Sequence, residues 1–337
     1  MNRRHAVRSR REFMGRVGLA AAAGLLGMPL PESAAESAPE TTTLRTAHGV
    51  TMCEAPQSLA EQLLRAEGFT DIRYAVTSNV DQELAAGKVD VVLRYAAPLA
   101  TLIDNGLPIV ILAGVHVGCI DLFVSNDVRS VRELRGRRVG MDRAVGSATD
   151  LFLSSMLAHV GLDPRRDVRW VDMPFTEWPA GLTDGKLDGF LYWPPYTQEL
   201  RDKKIGRIII STAADRPWSQ YFCCMVAARK EYVDKHPVAT KRALRAILKA
   251  TDMCAQEPGR VARWLVDRGY TKRAEIAERM LRELPYNKWR EYDPEDTIRF
   301  YALRLHESRL IKTEPKKLIA QGTDWRFLNE LKKELKG

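Results

Sequence analysis

The chain has 337 residues, of which 45% are hydrophobic and 28% are charged. This composition excludes global disorder, and the length allows about two domains with a large core. The formal net charge is +9, and the six arginines and three glutamates of residues 1–38 account for +3 of it. Since no block of five or six Lys/Arg residues is interleaved with aromatics, the charge does not indicate nucleic-acid binding.

The first 35 residues have the pattern of a twin-arginine export signal. Arg10 and Arg11 lie in the run SRREFM, and an apolar segment follows at residues 18–30. That segment is shorter than the roughly 20 residues that span a bilayer, which favours a cleaved signal over an anchor. We expect cleavage after Ala35, no later membrane span and a periplasmic mature protein. An amphipathic basic N-terminus is the alternative.

One sequence pattern occurs twice. Residues 84–98 read LAAGKVDVVLRYAAP and residues 182–196 read LTDGKLDGFLYWPPY, so both contain Leu-x-x-Gly-Lys-(Val/Leu)-Asp. Upstream of them, DIRY at residues 71–74 is matched by DVRW at residues 167–170. Two matches at nearly the same offset predict that a structural unit of about a hundred residues is used twice.

Strands and helices are predicted to alternate up to residue 228. The first copy has strands at 44–48, 72–76, 89–93 and 109–115, with helices at 59–67, 80–86 and 98–105. The second has strands at 139–141, 168–171 and 189–192, with helices at 148–160 and 177–183, and further strands at 205–210 and 221–228. This alternation predicts an α/β protein of two doubly wound lobes, with parallel sheets covered by helices on both faces. From residue 232 onward, amphipathic periodicity predicts helices.

Candidate ligand contacts lie in the loops after the strands, because doubly wound sheets bind ligands beyond the carboxyl ends of their strands. Ser147 and Thr149 place hydroxyl groups at a helix start, which suits an anionic group, although a plain N-cap is the alternative. Tyr192 and Trp193 offer aromatic walls or, alternatively, a hydrophobic interface between lobes. Trp218 and Tyr221 lie where the chain returns to the first lobe.

The sequence gives little indication of catalysis. The five cysteines, at positions 53, 119, 223, 224 and 254, form no C-x-x-C, so no disulfide framework is predicted and the identity of any bridged pair stays open. We expect them to be buried apolar residues. His48 and His116 end predicted strands and are expected to be structural hydrogen-bonding groups. Since no nucleophile, phosphate-binding or metal-ligand motif occurs, the sequence predicts no catalytic residue, no metal and no cofactor.

Taken together, these features resemble the periplasmic binding proteins of ABC importers for nitrate, sulfonates, taurine and thiamine-pyrimidine precursors. The resemblance covers about residues 42–267. It rests on the two Leu-x-x-Gly-Lys-(Val/Leu)-Asp copies, on LRGRRVG at residues 134–140, on the Trp193-Pro194 loop and on the helical region 232–250. It implies a type II periplasmic-binding-protein-like fold, with one lobe at 42–118 and 222–337 and the other at 119–221. It also implies a ligand held between the lobes and delivery to a permease with its ATPase.

By position, the resemblance implies a set of ligand contacts: His48, Gly49, Cys53, Tyr95, Ala96, Gly146, Ser147, Tyr192 and Trp193. The loop argument adds Thr149, Trp218 and Tyr221. The first loop, HGVTMCE, lacks the proline of many relatives, and RYAA at residues 94–97 lacks a frequent glycine, so ligand identity cannot be transferred. The aromatic residues favour a small organic ligand, anionic or heteroaromatic.

Two enzymatic alternatives stay open beside the binding protein. The same superfamily contains the fungal thiamine-pyrimidine synthase, whose cysteine-rich iron motif would fall at residues 219–223, where Phe222 and Cys223 alone fit. The other alternative is a redox enzyme exported by the twin-arginine route, for which no cofactor motif is present. We therefore predict a monomeric extracytoplasmic solute-binding protein, not an enzyme, that neither spans a membrane nor binds nucleic acid.

Overall fold

Ten strands are present in the computed structural model, which describes residues 36–48, 51–76, 79–142 and 148–335. The strands β1–β10 are Thr43–His48, Asp71–Val76, Val91–Tyr95, Ile109–Val117, Asp121–Val124, Arg138–Met141, Arg169–Asp172, Gly189–Tyr192, Arg207–Ser211 and Phe222–Arg229. The predicted export signal, with Arg10 and Arg11, lies outside the described residues.

Fourteen α-helices accompany these strands in the described part of the chain. The helices α1–α14 are Ala55–Leu59, Glu61–Ala66, Val80–Ala85, Ala96–Asp104, Ala148–His159, Trp178–Thr183, Tyr196–Lys203, Lys230–Lys235, Pro237–Gln256, Pro258–Asp267, Ala274–Glu283, Pro294–Glu307, Pro315–Gly322 and Arg326–Glu334. The helix predicted at 59–67 is in fact two helices, α1 and α2, that meet at Ala60. The searched helices include none that is long and apolar enough to cross a membrane.

The strands form three sheets. β1 and β2 pair in parallel, the second sheet has the order β3-β10-β4, and the third has the order β7-β6-β8-β5-β9. β10 is antiparallel to both of its neighbours, and β5 is antiparallel to β8 and β9. The prediction of parallel sheets is therefore wrong for these strands. β4 and β9 end at the two segments that pass between the sheets, whereas β5 and β10 begin at them, so β10 runs opposite to β4 and β5 runs opposite to β9.

The repeated sequence pattern has the same structural role in both copies. The Asp90 carboxylate accepts hydrogen bonds from the backbone N–H of Arg45 at 3.2 Å and from its Nε at 2.8 Å. Asp188 does the same for Arg138, at 2.8 Å and 2.9 Å. Each aspartate also donates its own N–H to the carbonyl of that arginine at 2.7 Å. The duplication thus extends from the sequence to the hydrogen bonds that join β3 to β1 and β8 to β6.

The C-terminal helices are as predicted, and they support the sheet that precedes them. α9 buries Leu244, Ile247 and Leu248 along one side. A 3-10 turn at Tyr286–Arg290 inserts two fully buried aromatic rings, and the indole of Trp289 donates to Asp252 of α9 at 2.9 Å. The other ring, that of Tyr286, reaches the candidate site described below.

We predict that Asp90→Asn lowers the free energy of unfolding by about 2–3 kcal/mol. Asp90 is 4% exposed and pairs with the guanidinium groups of Arg45 and Arg229, so the substitution leaves Arg45 without a carboxylate and Arg229 with Glu231 alone. A fully buried pair costs about 3–5 kcal/mol to break, and the arginines here are partly exposed. Urea unfolding at pH 7 measures the change. Asp71→Asn, which alters a surface pair with Arg73, is the control and should have no measurable effect.

The equivalent pair in the second copy gives a pH-dependent version of the same experiment. Burial tends to raise the pKa of Asp188, but its hydrogen bonds with Arg138 outweigh this and lower the pKa overall. A lowered folded-state pKa stabilises the protein above the unfolded value of about 3.9, and this stability is lost as the pH falls through the folded value. Asp188→Asn should therefore destabilise the protein at pH 7 and flatten its acid unfolding curve. An acid curve that matches the wild type would contradict this role.

Candidate functional site

Two segments that pass between the sheets lie in direct contact. Residues 118–120 lead from β4 to β5, and residues 212–221 lead from β9 to β10. The Ile120 N–H donates to the Thr212 hydroxyl at 3.0 Å, and the Thr212 N–H donates back to the Ile120 carbonyl at 2.9 Å. Gly118 has a φ of +66°, and a Cβ atom there would lie 2.2 Å from Ala213 Cα. We call these two segments the joint, because rotation of one sheet against the other must bend both.

A cluster of thiols and one imidazole adjoins the joint. The ligand atoms of Cys53, His116, Cys119 and Cys224 all lie within 4.8 Å of one another, and all four residues are buried. In β10, Cys224 is in register with His116 on one neighbouring strand and with Tyr95 on the other. Cys53 comes from the 3-10 turn after β1, and Cys119 comes from the joint itself. Four separate segments of the chain thus contribute to what we call the thiol cluster.

Neighbouring groups hold the cluster in place. His116 Nδ1 lies 3.4 Å from the Val117 carbonyl, whereas its Nε2 has no hydrogen-bond partner among the described residues. The Tyr286 ring packs at 5.0 Å from the His116 ring, and its hydroxyl donates to the Cys53 carbonyl at 3.1 Å. The Tyr95 hydroxyl lies 3.7 Å from Cys53 Sγ. Aromatic residues therefore contact both His116 and Cys53 of the thiol cluster.

The electrostatics of this region are unusual. Burial is the main cause that raises the pKa of Glu54 to about 8, so this carboxyl is largely neutral at pH 7. Burial alone would lower the pKa of His116, but its interactions with the nearby Cys224 and Cys53 side chains raise it to about 10. Arg94 lies 3.9 Å from Glu54 and makes a bidentate pair with Asp81 at 2.7 and 2.8 Å. Asp81 therefore neutralises the positive charge of Arg94.

The structure brings some of the predicted ligand contacts together. Cys53 and Tyr95 meet within the thiol cluster, and Ala96 begins α4 directly after β3. Thr149 lies in the first turn of α5 and is 5% exposed, and its hydroxyl has no hydrogen-bond partner in the part of the chain that the structure describes. Three predicted contacts, Gly49, Gly146 and Ser147, lie outside the described residues, as does the side chain of His48.

Tyr192 and Trp193 belong to a separate aromatic group. The Tyr192 hydroxyl donates to the Phe175 carbonyl at 3.1 Å. The Trp193 ring lies 5.4 Å from the rings of both Phe175 and Tyr192 and is 9% exposed. These residues therefore form the packed end of the five-stranded sheet, where their role as ligand contacts stays a prediction.

Trp218 and Tyr221 pack between helices. Trp218 is 2% exposed, with its ring 5.5 Å from His159 at the end of α5 and 5.2 Å from Phe300 of α12. The Tyr221 ring stacks on Phe300 at 4.0 Å. Both residues thus contribute to the contact between α5 and α12, and a ligand role for them also stays a prediction.

Sequence reasoning missed the thiol cluster. The expectation that the cysteines are buried is confirmed, and all five are unbridged, with Cys119 Sγ 2.9 Å from Cys223 Sγ. A search for metal-ligand spacing fails here because the ligands are contributed by four segments rather than one motif. The available signal was positional: Cys53 and His116 follow the ends of predicted strands, and Cys224 lies within one.

The arrangement of sheets and helices is that of the periplasmic binding proteins. The periplasmic nitrate-binding protein NrtA from Synechocystis PCC 6803 superposes with a TM-score of 0.73, over 89% of this chain and 90% of that chain, at 17% identity. The alkanesulfonate-binding protein SsuA from Xanthomonas axonopodis pv. citri gives 0.66, over 85% and 99%, also at 17% identity. The predicted fold class is confirmed. The desulfurization enzyme DSZB has the same fold, with a TM-score of 0.57 over 87% of this chain and 99% of that chain at 16% identity.

The sequence profile of the NMT1-like family matches residues 37–264. The chain belongs to this family. The nitrate/nitrite binding protein NrtA of Nostoc sp. PCC 7120 is 27% identical over 150 residues, which is 43% of this chain and 34% of that relative. The match therefore spans about a third of that relative's length.

We predict that Gly118→Ala lowers the free energy of unfolding by about 2–5 kcal/mol. The new methyl group would be forced against Ala213, and overpacking of this kind costs about 1–3 kcal/mol on top of about 1–2 kcal/mol for the positive φ. Gly136→Ala is the control, because its φ of +75° is similar but nothing lies within 4 Å of its added Cβ. Urea unfolding of both variants measures the difference. Equal losses of unfolding free energy in the two variants would contradict the close contact between the two segments of the joint.

Proposed function

We propose that the chain is the extracytoplasmic solute-binding component of an ABC importer, in which a ligand is held between two lobes at residues 42–118 plus 222–337 and at residues 119–221. The observation that carries the proposal is the joint, whose paired segments are what a clamp between two bodies requires. Contacts from both sides to one ligand would move an open–closed equilibrium toward the closed form. The nitrate- and alkanesulfonate-binding proteins that have this fold support the proposal.

The proposed ligand is a small organic molecule, anionic or heteroaromatic. α4 and α5 begin on the carboxyl side of strands, and helix N-termini attract anionic groups. The Thr149 hydroxyl in the first turn of α5, which has no hydrogen-bond partner among the described residues, would bind such a ligand. Trp193 and Tyr192 would then supply an aromatic wall on the other side. The partners of this function are a permease and its ATPase, and the protein acts as a monomer.

A binding role is favoured over catalysis because the nitrate/nitrite relative NrtA is named as a binding protein. The enzymatic alternatives make a different prediction for the purified protein, which would carry a stoichiometric cofactor. An ultraviolet-visible spectrum with metal analysis separates the two: bound flavin, haem or iron at one per chain would overturn the simple binding role. Turnover of an organosulfur or pyrimidine substrate would do the same.

The ligand class is tested first by thermal shift. A ligand that binds the native state raises its apparent stability, so nitrate, bicarbonate, alkanesulfonates, taurine, carboxylates and aminopyrimidines are screened against the folded protein. A positive compound then serves to measure Kd by calorimetry. A screen in which no compound of these classes shifts the melting temperature contradicts the proposed ligand class.

We predict that Thr149→Val weakens binding of that ligand by about 1–3 kcal/mol, or roughly 5- to 150-fold in Kd, without loss of stability. Valine keeps the shape of the side chain but removes a hydroxyl that has no partner in the described protein. Thr251→Val is the control, because its buried hydroxyl already donates to the Ile247 carbonyl at 2.9 Å. That variant should lose some stability and keep its affinity. An unchanged Kd in Thr149→Val would remove this residue from the site.

We further propose that residues 1–35 direct export by the twin-arginine route, and we predict that the double substitution Arg10→Lys, Arg11→Lys prevents it. The precursor should then accumulate in the cytoplasm, because this route requires the arginine pair. Cell fractionation and immunoblotting measure the distribution. Arg3→Lys with Arg4→Lys is the matched control, which changes two nearby arginines outside the SRREFM run and should leave export intact. Periplasmic protein in normal amounts from the first variant would contradict the assignment.

A further inference from the structure

We propose that Cys53, His116, Cys119 and Cys224 bind one thiophilic divalent cation of the Zn²⁺ type, as a tetrahedral centre beside the joint. The inference goes beyond the solute-binding function and does not depend on it, because the four ligands come from the protein alone. It stands on the donor set, on the orientation of the imidazole and on the backbone of Cys119.

The donor set has the composition and spacing of a structural zinc site. Three thiolates with one imidazole is one of the common four-ligand combinations for Zn²⁺. With Zn–S bonds of about 2.3 Å, a tetrahedral centre has ligand atoms about 3.8 Å apart. The four ligand atoms here lie within 4.8 Å of one another. A contraction of at most about 1 Å, by rotation of side chains, therefore completes the coordination.

The imidazole is oriented for coordination through Nε2. A hydrogen bond from Nδ1 to the Val117 carbonyl keeps a proton on Nδ1, so loss of the other proton of the imidazolium leaves the lone pair on Nε2. His116 is fully buried, and Nε2 has no hydrogen-bond partner among the residues that the structure describes. Leaving a buried polar atom without a partner is unfavourable, and a cation bound at Nε2 removes that cost.

Cys119 reaches the cluster through a strained backbone. Its φ of +123° is rare for a residue with a side chain, and such conformations concentrate at functional sites. The strain occurs in the joint itself, where Gly118 precedes it and Ile120 is tied to Thr212. An ion bound by Cys119 would compensate for this conformation by coordinating its Sγ.

Coordination proceeds by loss of protons without any redox change. The cation binds three thiolates and the neutral imidazole, so every proton that the three thiols and Nε2 of the imidazole carry before binding is released to solvent. The four protein ligands fill the tetrahedral shell, which is the arrangement of a structural rather than a catalytic ion. Oxidation of Cys119 and Cys223 to a disulfide by molecular oxygen would withdraw one ligand, so the cluster must be reduced before it is tested.

Such an ion would link the first segment of the joint to the three other chain segments that contribute ligands. It would connect the turn after β1, strand β4, the first segment of the joint and the start of β10. Because binding to the folded state alone stabilises that state, Zn²⁺ should raise the apparent melting temperature of the reduced protein.

The test titrates Co²⁺ into the full chain after reduction without oxygen. We expect one equivalent to give the intense visible absorption of tetrahedral Co²⁺ with a thiolate-to-cobalt charge-transfer band, and Zn²⁺ to displace it. X-ray absorption of the zinc form should give three Zn–S distances of about 2.3 Å and one Zn–N distance of about 2.0 Å. A reduced, folded wild type that gives no tetrahedral spectrum overturns the proposal.

Variants distinguish the four ligands from the remaining cysteines. Cys224→Ser and His116→Ala should each lose the tetrahedral spectrum or weaken binding at least 100-fold, with folding checked by circular dichroism. Cys254→Ser is the matched control, because Cys254 is equally buried but lies outside the cluster, and it should bind like the wild type. Cys223→Ser should also keep a tetrahedral centre. Loss of the spectrum in either control, or its retention in His116→Ala with unchanged affinity, overturns the assigned ligand set.

The solute screen and the metal titration have independent outcomes. Metal binding without any solute shift would overturn the proposed function and leave the metal centre. If a solute raises the melting temperature of the reduced protein but no metal binds to it, the proposed metal centre is overturned and the proposed function stands.

Discussion

A single carboxylate in each copy of the repeat ties the neighbouring strands together. Asp90 and Asp188 each accept from the backbone N–H and the guanidinium of one arginine, and each returns a hydrogen bond to the carbonyl of that residue. The ionic pair fixes the register of two strands at the end where each aspartate lies. The loops at Tyr95 and Tyr192, where ligand contacts are predicted, are therefore positioned from the opposite ends of β3 and β8.

The candidate site, which includes the thiol cluster, lies where the ends of these strands meet the joint. Thiols, an imidazole and a neutral carboxyl lie close together there, whereas the guanidinium group of Arg94 is paired with Asp81. A mostly apolar environment raises the free-energy cost of any buried polar group that lacks a hydrogen-bond partner. We therefore expect each such group to pair either within the protein or with a bound ligand or ion. Thr149, His116 and Glu54 each have a buried side-chain atom without a hydrogen-bond partner among the described residues, and the proposals above assign a partner to the first two.

Much of the fold could be predicted from the sequence, because strand and helix periods and the repeat are local patterns. Strand direction could not be predicted, since a central antiparallel strand such as β10 has the same apolar pattern as a parallel one. Candidate residues next to strand ends, such as Cys53 and Tyr95, were found by that rule. His116, Cys119 and Cys224 were missed as a set because residues far apart in sequence meet only through the pairing of β4 with β10. Trp218 was placed correctly at the chain's return, but its ring packs on Phe300.

The position of β10 has a consequence for how the protein is made. This strand is the middle one of the sheet β3-β10-β4, yet it follows its partners by more than a hundred residues. During synthesis β3 and β4 must wait, without a central neighbour, until residue 229 has left the ribosome, so the sheet cannot form domain by domain. Completion of this sheet is thereby postponed until most of the chain exists. A transport route that accepts finished proteins imposes no penalty on such a delay, whereas one that threads an unfolded chain would require the same assembly to happen after passage.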